Sequence, residues 1–179
     1  IRGDFGREYK SGGQDAGKPI RDEFVRRFPP TFELLVMSLA IASVMGVSFG
    51  VISALWRNSP IDYLVRIFAV LAASIPEFFL LTLLIIVPSI LWAYSQPVGG
   101  YVAIYDDPVR NLQLIGPAAI IIGIGGSAGL MRLTRTTMLE VMRSDYIRTA
   151  RSKGLRGRSV VLAHGLRNAL TPIVTAIGS

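Results

Sequence analysis

Residues 34–56 read LLVMSLAIASVMGVSFGVISALW, an apolar run without a charged side chain. About 20 consecutive apolar residues are needed to cross a bilayer, and soluble core helices seldom contain so many. Two more segments reach this length, since residues 67–92 carry one charge, Glu77, and residues 111–131 carry none. A fourth apolar segment covers residues 160–179. The pattern predicts an all-α fold, a polytopic transmembrane helical bundle with about three complete spans and the start of a fourth.

The composition agrees with a membrane protein and excludes several kinds of site. Of 179 residues, 51% are hydrophobic and only 17% are charged, with a formal net charge of +7. Such a chain is too apolar for an ordinary soluble domain. It contains no cysteine and a single histidine, which excludes disulfides, thiolate metal sites and multi-histidine metal sites. Because the chain begins at Ile1 and ends within an apolar segment, we expect it to be a piece of a longer protein.

Prolines and polar turns set the expected boundaries. Pro29 and Pro30 should prevent a helix from running through, so the first span is expected to begin at Thr31. The polar turn RNSPIDY then returns the chain directly into the bilayer. We therefore expect an extracytoplasmic segment, residues 1–30, followed by a transmembrane domain, residues 31–179. The expected spans are residues 31–57, 63–93, 113–140 and 160–179, with a cytoplasmic coupling loop at residues 143–158.

The alternation of spans fixes which segments share a side of the membrane. Residues 1–30 and 94–112 should lie on one side, and residues 57–63 and 143–158 on the other. Lysine and arginine are dense just after the third span, so the positive-inside rule places that side in the cytoplasm. The basic residues of the N-terminal segment favour the opposite orientation, but several of them lie far from the first span.

The third span contains GIGGSAG at residues 123–129. This run satisfies the dinucleotide-binding pattern G-x-G-x-x-G/A, but that motif needs a strand, a tight turn and a new helix in a soluble unit. Here the run lies inside a continuous apolar segment. The favoured interpretation is helix packing, in which Gly125, Gly126 and Gly129 form a small-residue face that lets another helix approach closely.

The second span contains a carboxylate and two prolines. Glu77 would cost a few kcal/mol if it faced lipid, so it should face protein or water. Pro76 and Pro88 each remove a backbone hydrogen bond. Ser74, Pro76 and Glu77 are therefore candidates for lining a translocation path. The alternative is a carboxylate buried in helix packing or placed nearer the interface.

The loop after the third span begins with DYIRTARSKGL, which predicts a helix of about two turns. Ser144 or Asp145 can serve as its N-cap, and Gly154 supplies a left-handed stop. Its small and basic surface suits docking into a groove on another protein, although a solvated loop would have the same composition. The candidate partner-contacting residues are Asp145, Tyr146, Ile147, Arg148, Thr149, Ala150, Arg151, Ser152, Lys153 and Gly154.

A longer stretch, DYIRTARSKGLRGRSVVLAHGLRNALTP, resembles the cytoplasmic EAA-type loop of ATP-binding-cassette import permeases, in the version typical of the dipeptide, oligopeptide and nickel transport subfamily. Against the general pattern E-A-A-x-x-x-G followed by I-x-L-P, Ala150, Gly154 and Leu166 match. The departures, which agree with the subfamily, are Arg148, Thr149, His164 and Arg167. The resemblance extends outward to GDFG, RRFPPTFEL, SIPEFF and MRLTRTTMLEV.

This resemblance implies the fold of a type I ABC importer permease, located in the bacterial or archaeal inner membrane. It implies that the complete protein has an earlier span and a final part that this chain lacks. The implied partners are a second permease subunit, two ATP-binding-cassette ATPase subunits that bind ATP and Mg, an extracytoplasmic solute-binding protein and the lipid bilayer. Since the sequence contains no G-x-x-x-x-G-K-[ST] loop, no cofactor is expected in this chain and energy should arrive from a partner.

Other classes of function remain as alternatives. A membrane-embedded enzyme would need several convergent polar residues within its spans, where Glu77 is the only acidic one well inside. A nucleic-acid-binding protein is suggested only by the net charge of +7, which the positive-inside rule explains. An uncoupled channel, or another membrane protein that uses the basic loop for docking, would lack an ATPase partner. The substrate is left open, since peptide, nickel and other permeases share this loop.

Overall fold

The computed structural model describes residues 19–92, 100–145, 147 and 166–177. These residues confirm the all-α fold class. Five helices have their bounds within the described residues: α1 Ile20–Leu55, α2 Pro60–Ser74, α3 Glu77–Trp92, α4 Pro108–Met142 and α5 Arg167–Ile177. Two of them, α1 and α4, are long and apolar enough to cross a membrane, and the described part of the chain has up to three such spans if the bent pair α2–α3 counts as one.

The first helix starts earlier than the sequence predicts. It begins at Ile20 and runs through Pro29 and Pro30, so the expectation that the prolines delay the helix to Thr31 is wrong. Each proline removes one N–H donor but has a φ value that a helix accepts. The hydroxyl of Thr31, just after the prolines, donates to the Arg27 carbonyl oxygen at 2.8 Å. At 1.5 Å per residue, α1 is about 54 Å long and exceeds the thickness of the hydrocarbon core.

The second apolar segment is a broken helix, not the continuous span expected for residues 63–93. α2 ends at Ser74 and α3 begins at Glu77, with an angle of 83° between them. Proline disfavours the helical conformation of the residue before it, and Ile75 accordingly has an extended backbone with ψ of 122°. Pro88, by contrast, lies inside α3 without ending it.

The third span, α4, is the central helix of the bundle. It begins at Pro108, five positions before the expected start near Gln113, because Asp107 caps it by accepting a hydrogen bond from the Arg110 N–H at 3.0 Å. α4 packs against α1, α2, α3 and α5. A displacement of α4 would therefore change its contacts with every other helix whose bounds are described.

α1 and α4 run parallel and approach closely through glycines. A Cβ at Gly123 would lie 2.7 Å from the Ile41 side chain, and one at Gly50 would lie 2.5 Å from Cβ of Thr134. The contacts advance together along both helices, which is possible only if the helices are parallel. Small residues permit such an approach where lipid supplies no hydrophobic driving force between helices. The end of α1 and the end of α4 consequently lie at the same side of the bundle.

The buried core is small and concentrated around α4. One cluster joins α1, α4 and α5 through Ala54, Met138, Ala169 and Ile173, and another joins α2 and α4 through Ala69, Ala128 and Met131. Many large apolar side chains on α1, α2 and α3 are exposed. A helix that is apolar on its outer faces is typical of a membrane environment.

Candidate functional site

A buried carboxylate joins three helices at the side where α1 and α4 end. Asp62, in the first turn of α2, is completely buried. Arg135 of α4 donates to it through two parallel bonds, Nε to Oδ1 and Nη2 to Oδ2, each 2.9 Å. Ser53 of α1 donates its hydroxyl to Oδ1 at 2.5 Å, and the Asn58 backbone N–H donates to Oδ2 at 2.9 Å. Bidentate arginine–carboxylate pairs are strong and geometrically specific, so this network fixes α4 to the α1–α2 corner.

The local sequence builds the corner that presents this carboxylate. Asn58 has a φ of 61°, the left-handed region that asparagine tolerates better than most residues. Ser59 then caps α2 by accepting from the Asp62 N–H, and Pro60 occupies the first helical position. The tight polar turn expected from RNSPIDY is therefore present, and it places the carboxylate inside the bundle.

The described part of the predicted partner-docking segment continues directly from α4. After α4 ends at Met142, the Ser144 hydroxyl donates to the Val141 carbonyl oxygen at 2.7 Å, and the Ile147 N–H donates to the Ser144 carbonyl oxygen at 3.1 Å. The Ile147 side chain is fully buried against Val141 and Met142. The beginning of the segment is thus packed onto the end of α4.

The other predicted docking residues, Tyr146 and residues 148–154, lie outside the described residues. Asp145 and Ile147 are the two members of the set whose positions the structure gives. Their proposed contact with an ATPase stays a prediction.

The candidate translocation residues lie at the break between α2 and α3. Ser74, Pro76 and Glu77 are all exposed, and the Ser74 hydroxyl donates to the Val70 carbonyl oxygen at 2.7 Å. The Glu77 side chain lies against α4, because a Cβ added at Gly125 would be 2.6 Å from Oε1. The structure therefore brings together Glu77 and Gly125, which the sequence analysis treated as parts of different sites.

The three glycines proposed for helix packing have different surroundings. Gly125 faces the Glu77 carboxylate, and a Cβ at Gly126 would be in ordinary contact with Cβ of Ala42 at 3.5 Å. No described atom lies within 4 Å of a Cβ at Gly129. The tight crossing of α1 and α4 instead uses Gly46, Gly50 and Gly123. Helix packing at Gly129 stays a prediction.

At the opposite side of the bundle, a tyrosine in the segment before α4 is tied to α1. The Tyr101 hydroxyl donates to Oε2 of Glu33 at 2.7 Å. The negative carboxylate disfavours the phenolate and raises the pKa of Tyr101 to about 12. This contact joins the segment before α4 to Glu33 in the first half of α1, at the side away from Asp62.

Sequence reasoning missed the Asp62–Arg135 pair. Arg135 counted only as one of the basic residues that set orientation, and Asp62 only as part of a polar turn. The available signal was a carboxylate next to an apolar span, because an ionisable residue there needs a partner. Which arginine would supply the partner could not be read from the chain. Among the described residues, no group of three or more acidic or histidine side chains could hold a metal ion.

Most of the chain matches a known family of membrane transport proteins. The chain belongs to the family described as "Binding-protein-dependent transport system inner membrane component", which matches residues 46–179. It is therefore a multi-pass membrane protein of the permease class. The permease family has no cofactor of its own.

Three relatives illustrate the match. The chain is 36% identical to the dipeptide transport system permease protein DppB of Bacillus subtilis over 98% of this chain and 53% of that protein. It is 38% identical to the glutathione transport system permease protein GsiC of Pectobacterium atrosepticum over 99% of this chain and 54% of that protein. DppB of Escherichia coli is 36% identical over 99% of this chain and 58% of its own length. The chain thus spans about half the length of the curated relatives it matches.

Proposed function

We propose that this chain is part of the translocating permease subunit of an ATP-driven importer in the bacterial or archaeal inner membrane. The observation that carries the proposal is the packing of the start of the predicted docking segment onto α4: α4 ends at Met142, and the Ile147 side chain is buried against Val141 and Met142. The family match supports the importer class. An uncoupled channel is not favoured, because the family belongs to binding-protein-dependent systems.

In this proposal, residues 145–154 dock into a cytoplasmic ATPase and α4 acts as the lever. Ile147 is buried against Val141 and Met142, so a displacement of the docked segment is passed to α4. The Asp62–Arg135 pair then passes it to the α1–α2 corner. Alternating access needs this kind of rigid-body movement of packed helices. Two ATPases, a second permease subunit and an extracytoplasmic binding protein would complete the importer.

The orientation follows from the same arrangement. We place the side that contains Asp62 and Ile147 in the cytoplasm, facing the ATPases. The side with the Tyr101–Glu33 contact then faces the binding protein. The density of basic residues after α4 supports this orientation through the positive-inside rule.

We further propose short peptides as the substrate class. The relatives are named for dipeptide and glutathione transport, and both substrates carry an ammonium group. Glu77 at the helix break offers a carboxylate of opposite charge. Ser74 and Pro76 would line the same stretch of the path.

The docking role is tested in the full-length permease by co-purification of the ATPase together with uptake of a dipeptide. Ala150→Trp overfills the proposed contact, which typically costs about 1 to 3 kcal/mol, and Gly154→Val strains the predicted left-handed stop by roughly 1 kcal/mol. Both variants should insert into the membrane but lose ATPase association and uptake. Arg158→Gln, outside the predicted helix, is the matched control and should retain both. Full assembly and uptake by Ala150→Trp would contradict the proposal.

A third variant separates docking from force transfer. Because the Ile147 side chain is fully buried, Ile147→Ala changes no exposed side chain but removes the anchor on α4, at a cost of about 2 to 5 kcal/mol. We expect ATPase association to persist while uptake falls. If Ile147→Ala transports at the parent rate, the packing of Ile147 on α4 does not carry the coupling.

A further inference from the structure

A cavity of about 280 Å³ lies between α2 and α4, beside the Asp62–Arg135 pair. Its wall is divided between arginines and apolar side chains. The arginines are Arg66, Arg132 and Arg135. The remaining lining residues are Ser53, Val65, Ala69, Val70, Met131 and Thr136.

The arginines of this cavity are only partly neutralised. Asp62 is the carboxylate that contacts two of them, and both of its oxygens accept from Arg135. Arg66 lies farther away, with Nε 3.6 Å from Oδ1, and its side chain is 44% exposed. The exposed Arg132 side chain has no acceptor among the described residues. Three guanidinium groups thus line a cavity beside one carboxylate that contacts two of them, and the cavity retains an excess of positive charge.

The position of the arginines corresponds to the level of lipid headgroups. Trp56 and Tyr63 are exposed at this side of the bundle, as aromatic residues are at a membrane interface. The Arg66 guanidinium lies 4.5 Å from the centre of the Tyr63 ring, so it occupies the same level. Ala69 and Val70 follow along α2 toward the middle of the bundle, where acyl chains would lie.

We propose that this cavity binds an anionic phospholipid. The lipid phosphate pairs with Arg66 and Arg132, and one acyl chain lies along Ala69 and Val70. Basic pockets between transmembrane helices are suited to anionic headgroups. A soluble phosphate would leave the apolar part of the cavity uncovered. A zwitterionic headgroup would bring its own positive group toward a cavity in which arginines already outnumber carboxylates. The site is distinct from the proposed docking segment and does not depend on it.

The test measures lipid retention by native mass spectrometry on the full-length permease in its importer complex. The probes are phosphatidylglycerol, phosphatidylcholine and inorganic phosphate. Each basic residue near an anionic membrane surface contributes about fivefold in affinity, so Arg66→Gln/Arg132→Gln should weaken phosphatidylglycerol retention by about 25-fold. Arg57→Gln is the matched control, since Arg57 is exposed at the same side but does not line the cavity. It should retain the lipid as the parent does.

Val70→Trp tests the apolar half while leaving all three arginines in place. Val70 is 57% exposed, so a larger side chain should fill the cavity without unfolding the protein. Loss of phosphatidylglycerol in this variant and in the double arginine variant, with retention in Arg57→Gln, supports the site. Equal retention of phosphatidylcholine, equal loss in Arg57→Gln, or unchanged binding in the double variant overturns it. Displacement of the lipid by millimolar inorganic phosphate, with Val70→Trp unaffected, would instead identify a soluble anion as the occupant. None of these results bears on ATPase docking.

Discussion

Replacing either Asp62 or Arg135 should destabilise the protein. The two replacements should differ in cost, because the two side chains differ in burial. Removing one partner of a buried ion pair costs about 3 to 5 kcal/mol. Arg135→Met leaves Asp62, which has no exposed surface, without its bidentate partner and with the more distant, partly exposed Arg66 as a neighbouring cation, so its cost should lie in the upper part of this range, about 4 to 5 kcal/mol. Asp62→Asn leaves Arg135, whose side chain is 21% exposed, with an amide oxygen as acceptor and some access to water. Its cost should be near 3 kcal/mol.

The double variant Asp62→Asn/Arg135→Met contains neither buried charge. Its cost should therefore be about 2 to 3 kcal/mol less than the sum of the two single costs, as for directly coupled residues. The free energy of unfolding is measured by denaturant titration of the purified full-length permease in detergent. Dipeptide uptake is measured on the same variants in vesicles. If the pair also transfers movement from α4 to the α1–α2 corner, the double variant should regain stability without regaining uptake.

Two results would refute this reasoning. Additive costs would show that the two side chains are not coupled, whatever the distances between them. A double variant that transports at the parent rate would show that the pair stabilises the fold but plays no part in transfer. Ser53→Ala is a useful control, because it removes a neutral donor to the same carboxylate and should cost about 1.5 to 3 kcal/mol, less than the loss of Arg135.

The glycines of α4 and α1 give two further predictions. Gly125→Ala should displace the flexible Glu77 carboxylate and reduce dipeptide uptake with little loss of stability, whereas Gly116→Ala, whose Cβ would meet no described atom within 4 Å, should leave uptake unchanged. Equal uptake by both variants in vesicles would exclude a role for the contact. Gly50→Ala should lower the midpoint of thermal unfolding, because its Cβ would lie 2.5 Å from Cβ of Thr134 and the two helices would have to separate. An unfolding midpoint like that of Gly116→Ala would show that the helix crossing is not close-packed.

The sequence predicted the class of protein and the approximate spans because both depend on the length of apolar segments, which can be counted along the chain. A bilayer demands long apolar segments whatever the tertiary structure. The loop motif predicted the family, since it is both specific and contiguous. The ends of the segments were less accurate, because α1 tolerates Pro29 and Pro30 and α4 begins at its cap Asp107.

The sharp bend of the second segment could not be predicted from its prolines. Pro76 and Pro88 have the same covalent restriction, yet α2 ends just before the first and α3 includes the second. Prolines in transmembrane helices are accommodated by neighbouring groups, so their effect depends on what surrounds them. Those surroundings are tertiary contacts. A single sequence does not contain them in readable form.

The same limit explains why the two halves of the candidate path were assigned to different sites. Glu77 and Gly125 are far apart in the chain, and each had a sufficient local interpretation, one as a path carboxylate and the other as a packing glycine. The break at Pro76 turns α3 so that its first residue meets α4. α4 then continues for about 26 Å from Gly125 to its end, where the proposed docking segment starts. If an ATPase moves that end, a helix without a break carries the movement to the surface on which Glu77 rests. A carboxylate held by contact with a moving helix can change its exposure in each transport cycle.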